Sequence, residues 1–162
     1  MKRVPCLVEP RRPSIPDSVE AVAEKSAIIA LADWAEAWAS SHHLGRETAH
    51  ALRLCVEEAV TNIVFYAYDG VEAARTVSAA AARTADGVTL TITDQGRPFD
   101  VAAAPDPGLE TDLLTATAGG RGIRLMRAFA ETLAYERLGA RNRLTLTFLT
   151  SPTPANASGP DR

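Results

Sequence analysis

Two residues one helical turn apart, Glu58 and Asn62, open the chemical reading of the chain. They stand in the run Glu57-Glu58-Ala59-Val60-Thr61-Asn62. At about 100° per residue they fall about 40° apart on one helix edge, with Glu57 turned away toward the exposed side. The carboxamide of Asn62 offers a neutral oxygen to a hard cation such as Mg²⁺, which takes few protein ligands and completes its shell with phosphates and water. Glu58 beside it can accept a proton from an attacking hydroxyl or water.

A second group, Asp94-Gln95-Gly96-Arg97-Pro98-Phe99-Asp100, follows a strongly alternating stretch. An Asp at a strand end can aim its carboxylate into a pocket mouth and accept a hydrogen bond from an amine, such as the exocyclic amine of adenine. Gly96 permits a close backbone approach to a flat ring. The third group, Gly119-Gly120-Arg121-Gly122, precedes Ile123 and opens a helical pattern. Free N–H groups at a helix start, with glycines that let them converge, make a phosphate cradle. It is neither a dinucleotide fingerprint nor a P-loop, since neither glycine pattern is present. Taken singly, the three are also what a solvated helix surface, an Asp/Gly turn and a flexible hinge present. Taken together and in this order, they supply metal ligand, base reader and phosphate cradle for one ligand, Mg-ATP.

The elements that must position these groups follow from patterning. Asp17 is expected to cap a helix running to about Ser41, rich in alanine and free of Gly and Pro. After His42-His43-Leu44-Gly45, a second helix is expected from Arg46 to Tyr68, with Leu52, Val56, Ala59 and Ile63 as its buried stripe. A weak strand signal covers Thr76 to Ala82, and Val88 to Thr93 alternates strictly. Leu144, Leu146 and Phe148 alternate with Thr145 and Thr147, and residues 133–138 read as a partner strand across a hairpin at Gly139 to Asn142. The long stretch between Asp94 and Gly122, flanked by glycine motifs, reads as a lid. Ile123, Met126, Ala130 and Leu133 suggest a helix directly after Gly122. The fold class expected is α+β: a two-layer sandwich with helices on one face of a mixed, mostly antiparallel sheet.

The bulk properties bound the partners. The chain has 162 residues, 46% of them hydrophobic, and a net charge of -3, which suits one domain with a real core and gives no basic field for nucleic acid. Residues 17–150 are read as that domain, between a flexible segment 1–16 with four prolines and a disordered tail 151–162. No signal-peptide pattern and no membrane-length apolar run is present in the sequence, so no membrane is expected as a partner and the cytoplasm is the expected location. Cys6 and Cys55 lie far apart in unlike contexts, and Cys55 reads as a reduced core thiol.

The order and spacing of the three groups resemble the GHKL (Bergerat-fold) ATPase/kinase superfamily, and within it the compact anti-sigma serine/threonine kinases of the RsbW/SpoIIAB type. Glu58-Ala59-Val60-Thr61-Asn62 matches the N box, Asp94 to Asp100 the first glycine box, and Gly119 to Arg127 the second. The resemblance spans about residues 17–150. It implies that Glu58 is the general base, that Asn62 ligates Mg²⁺, and that Asp94 reads adenine. It further implies that Gly96, Gly119, Gly120, Arg121, Gly122 and Ile123 belong to the ATP-binding loops. The partners it implies are a STAS-type anti-anti-sigma protein phosphorylated on serine, a sigma factor and a second copy of the chain. Two positions depart from the pattern: Tyr66 stands where the family commonly has His, and Asn142 where an adenine-side Thr is frequent. A nucleotide-gated binding module with little kinase activity is therefore a second reading. A stand-alone GHKL ATPase or histidine-kinase catalytic domain is a third, disfavoured because no helix carrying a phospho-acceptor His is evident.

Overall fold

Residues that alternate large apolar with Thr build the sheet, and alanine-rich amphipathic helices cover one of its faces. The computed structural model describes residues 15–101, 103 and 120–150. Gly119, most of the expected lid, the tail 151–162 and all but the last two residues of the segment 1–16 lie outside the described residues.

In chain order the elements are β1 (Ser18–Val22), α1 (Lys25–Ser41), α2 (Arg46–Asn62), a π-helical turn (Ile63–Ala67), β2 (Thr76–Arg83), β3 (Gly87–Asp94), α3 (Gly120–Phe129), β4 (Thr132–Leu138) and β5 (Arg141–Leu149). The strands form one sheet in the order β1-β2-β3-β5-β4, with every neighbour antiparallel. Val77, Ala79, Leu90, Ile92, Leu144, Leu146 and Phe148 alternate inward. They share one core with Leu31, Trp38, Leu52, Val56 and Val60 of the first two helices and Met126 of α3. Side chains at intervening positions, Thr91, Thr93, Thr145 and Thr147 among them, stand on the opposite face. This is the two-layer α+β arrangement expected, with the sheet antiparallel throughout.

The chain start differs from its sequence reading. Residues 18–22 are an edge strand paired with β2, from Ser18 opposite Ala80 to Val22 opposite Thr76, and the helix begins only at Lys25. Asp17 does not cap it: its Oδ1 accepts from the indole Nε1 of Trp38 at 2.8 Å. The backbone of β2 offers this five-residue segment a full set of partners, and that outweighs helix propensity. Trp34, whose indole donates to the carbonyl of Pro16 at 2.9 Å, and Trp38 are core residues that tie the segment before β1 to α1. The second helix also ends earlier than expected, at Asn62, and continues as the π-helical turn. Cys55 is a free, fully buried thiol, and burial together with the charge of Glu58 pushes its pKa up to about 12. Among the described residues no helix is long and apolar enough to cross a membrane.

Candidate nucleotide site

The C-terminal end of α2 and the π-helical turn after it supply one wall of the site. Ala59 and Val60 are drawn into the core, which leaves Glu58 and Asn62 on the flank of the helix, as their spacing predicts. The wider π-helical turn places Tyr66 and Ala67 on the same wall as Asn62. A pocket of about 620 Å³ lies against them, closed on the sheet side by Ile92, Asp94, Asn142 and Leu144 and on the third side by Met126 of α3. That volume is in the range of small-molecule sites, roughly 300–1,000 Å³.

Two polar atoms of pocket-lining residues have no hydrogen-bond partner among the described residues. The Nδ2 of Asn62 is buried without a hydrogen bond. Asp94, 8% exposed, takes both of its hydrogen bonds on Oδ1, from the Gly96 N–H at 2.7 Å and the Asn142 Nδ2 at 2.8 Å. Its other oxygen remains for a donor in the pocket. An orphaned buried amide is costly unless something fills the site, so the pair marks where a polar ligand belongs. Burial holds the Asp94 carboxyl above the usual carboxylate range, opposed by the Asn142 and Gly96 hydrogen bonds and the charge of Arg137.

Gly96 is required here for space. A Cβ on it would lie 2.5 Å from the Ala67 carbonyl oxygen and 2.6 Å from the Ala67 side chain. The strand end therefore sits directly on the π-helical turn, and the Arg97 N–H donates to that same Ala67 carbonyl at 2.7 Å. The buried hydroxyl of Tyr68 completes the joint by accepting from the N–H groups of Gln95, at 3.0 Å, and Thr76, at 3.1 Å.

The second glycine group meets the helix from the other side. Helix α3 starts at Gly120, and a Cβ on Gly122 would stand 2.5 Å from Oε2 of Glu58. Glu58 therefore lies under the N-terminal turn of α3, outside the lining of the main pocket. Burial raises its pKa, the neighbouring Glu57 adds to that, and the charge of Arg121 opposes it. Ile123 is buried in the core, where its side chain anchors α3. Asn62 and Asp94 thus share one pocket, Gly96 and Gly122 each give close approach to an α2-side residue, and Gly119 lies outside the described residues.

Sequence reasoning missed Tyr135, Met126 and Phe99 as lining residues, and Arg137 behind them. Only the pairing of β4 with β5, which sets Arg137 opposite Asn142, brings the last into view. Among the described residues no group of three or more His, Cys, Asp or Glu could hold a metal ion. A cation here would draw most of its ligands from phosphate and water with Asn62 as a protein contribution, and that donor set fits Mg²⁺.

The comparisons with known proteins agree with this geometry. Residues 21–148 match the family model of the histidine kinase-like ATPase domain. The chain is also 35% identical, over 119 residues, to a protein of Bordetella bronchiseptica named serine/threonine-protein kinase BtrW. That match covers 74% of this chain and 83% of the relative. Fold, pocket and match together imply an ATP-binding domain: the chain belongs to the histidine kinase-like ATPase domain family.

Proposed function

We propose that the chain is a serine/threonine protein kinase that transfers a phosphoryl group from Mg-ATP to a serine of a STAS-type anti-anti-sigma partner, and so acts as an anti-sigma regulatory factor in the cytoplasm. The observation that carries the catalytic part is the position of Glu58. Its carboxylate, raised in pKa by burial, lies beneath the N-terminal turn of α3 and one helical turn from Asn62. A carboxylate so placed is suited to take the proton of an attacking serine hydroxyl as the new O–P bond forms and ADP leaves. Asp94 would accept from the adenine amine, and backbone N–H groups at the start of α3 would meet phosphate oxygens. The Asn62 side chain would hold Mg²⁺, which when bound neutralises phosphate charge. The serine/threonine specificity and the regulatory role rest on the resemblance to the anti-sigma kinases and on the named activity of the Bordetella relative.

Incubating the protein with candidate STAS-domain proteins and ATP, followed by mass spectrometry, tests the reading. Phosphoserine on the partner, lost with Glu58→Gln, is the expected result; ATP hydrolysis without any protein acceptor would instead indicate a stand-alone ATPase. A nucleotide-gated binding module remains the second reading. Tyr66, 46% exposed and lining the pocket beside Asn62, is the observation in its favour. Nucleotide-dependent association with the partner and no phosphoserine would select it.

A further inference from the structure

Three polar residues occupy one register row across the sheet: Asp94 on β3 is opposite Asn142 on β5, and Asn142 is opposite Arg137 on β4. Side chains directly across antiparallel strands share a face, so the row sets an anion, an amide and a cation side by side. The amide of Asn142 is fully engaged. Its Nδ2 donates to Asp94 Oδ1 at 2.8 Å and to the Arg97 carbonyl at 3.0 Å. Its Oδ1 accepts from Arg137 Nη1 at 2.7 Å and from the Tyr135 hydroxyl at 2.8 Å. Asn142 therefore has no spare group to read a base, although it lines the pocket. Arg137 is braced in turn: Nε donates to the Gly139 carbonyl at 2.9 Å, in the β4–β5 turn, and Nη1 also donates to the Gly96 carbonyl at 2.9 Å.

We propose that Arg137 is a positioning residue of the nucleotide site, acting through the Asn142 amide to fix the orientation of the Asp94 carboxylate and the Gly96 loop. Asn142 is the relay, and its role is to transmit the hold of Arg137 to Asp94 while leaving the second Asp94 oxygen to the ligand. The other groups packed around Asp94 do not compete for this role. Val77 on β2, Ala67 at the end of the π-helical turn and Tyr68 just after it are uncharged. Arg97 directs its guanidinium to the Tyr66 carbonyl, 2.9 Å away, and toward Asp69. Arg143 pairs with Glu136, and both alternate to the opposite face of the sheet.

The inference rests on the pocket being a nucleotide site, so its test reads Asp94 both with and without nucleotide. Wild type, Arg137→Gln, Arg137→Lys, Asn142→Leu and the double variant Arg137→Gln/Asn142→Leu are compared by side-chain carboxyl ¹³C NMR titration, with Asp94→Asn assigning the signal. Calorimetry then follows ATP binding across the acid range. In Arg137→Gln the titration midpoint of Asp94 is expected to move up, because a nearby cation no longer favours the anion. ATP affinity is expected to fall about fivefold at neutral pH, the usual weight of one net hydrogen bond, and further on acidification. Arg137→Lys should restore most of the midpoint, and the double variant should bind no worse than Asn142→Leu, as a relay requires. An unchanged Asp94 midpoint in Arg137→Gln, or losses that simply add, would overturn the proposal while wild-type binding stands. A wild type that binds no ATP would overturn the nucleotide site and this proposal with it.

Discussion

At the scale of single residues, the proposed function assigns binding to some groups and reaction to another. Asn62→Ala removes the buried amide nitrogen that has no partner among the described residues, and Asp94→Ala removes a carboxylate whose two hydrogen bonds both fall on Oδ1. Each is expected to weaken ATP binding at least tenfold by calorimetry, since the loss of a hydrogen bond involving a charged group costs about 1.5–3 kcal/mol. Glu58→Gln is expected to abolish phosphoryl transfer while leaving ATP affinity within a few-fold. Its melting temperature should hold or rise, because the partial burial that raises the Glu58 pKa disfavours its charged form and a neutral amide carries no such cost. The two glycines give opposite expectations although both lie against α2-side residues. A methyl on Gly96 meets backbone at Ala67, which cannot step aside, so Gly96→Ala should cost about 1–3 kcal/mol of stability in denaturant titration. A methyl on Gly122 meets the movable end of Glu58. Gly122→Ala should therefore fold and lose transfer rate, by displacing the base.

The elements carry the site through one joint, where α2, the π-helical turn and the ends of β2 and β3 converge. The hydroxyl of buried Tyr68 accepts from the N–H groups of Thr76 and Gln95 and donates to the Thr76 carbonyl. Tyr68→Phe leaves these backbone groups without that partner, and a loss of about 1–3 kcal/mol in unfolding free energy is expected. Because Gln95 follows Asp94 directly, the same variant should also weaken ATP binding. Unchanged affinity in a destabilised Tyr68→Phe protein would show that the joint holds the fold and not the site. The spacing of Glu58 and Asn62 was legible as one helix edge. The switch from α to π geometry at Ile63 was not, because the helical repeat of apolar residues continues through it.

For the whole molecule, pH should divide function from stability. The pKa values of Asp94 and Glu58 are both raised in the folded state, chiefly by burial. A raised folded pKa means that the native state binds more protons between the unfolded and folded values, so these two groups contribute stability as pH falls through that window. Function runs the other way, since protonated Asp94 cannot accept from an amine with that oxygen and protonated Glu58 is no base. Acidification from neutrality should therefore weaken ATP binding and transfer at a pH above the ordinary carboxylate range, before the midpoint of thermal unfolding falls. Loss of binding and of fold at the same pH would contradict this. Metal removal gives a further test: a chelator should weaken ATP binding to the wild type and have little additional effect on Asn62→Ala.

Local chemistry and periodicity by themselves determined the α+β class, the strands around Val88 to Thr93 and Leu144 to Phe148, and the three candidate groups. These depend on spacing within a helix turn or a strand, which backbone geometry sets without distant partners. Partners remote in sequence decided the rest. β1 exists because β2 lies beside it, and the edge pairing claims residues 18–22 that propensity would place in a helix. The tryptophans are core because Pro16 and Asp17 return to receive their indoles. Arg137 stands behind Asp94 because β5 lies between β4 and β3, a strand order that no sequence interval records.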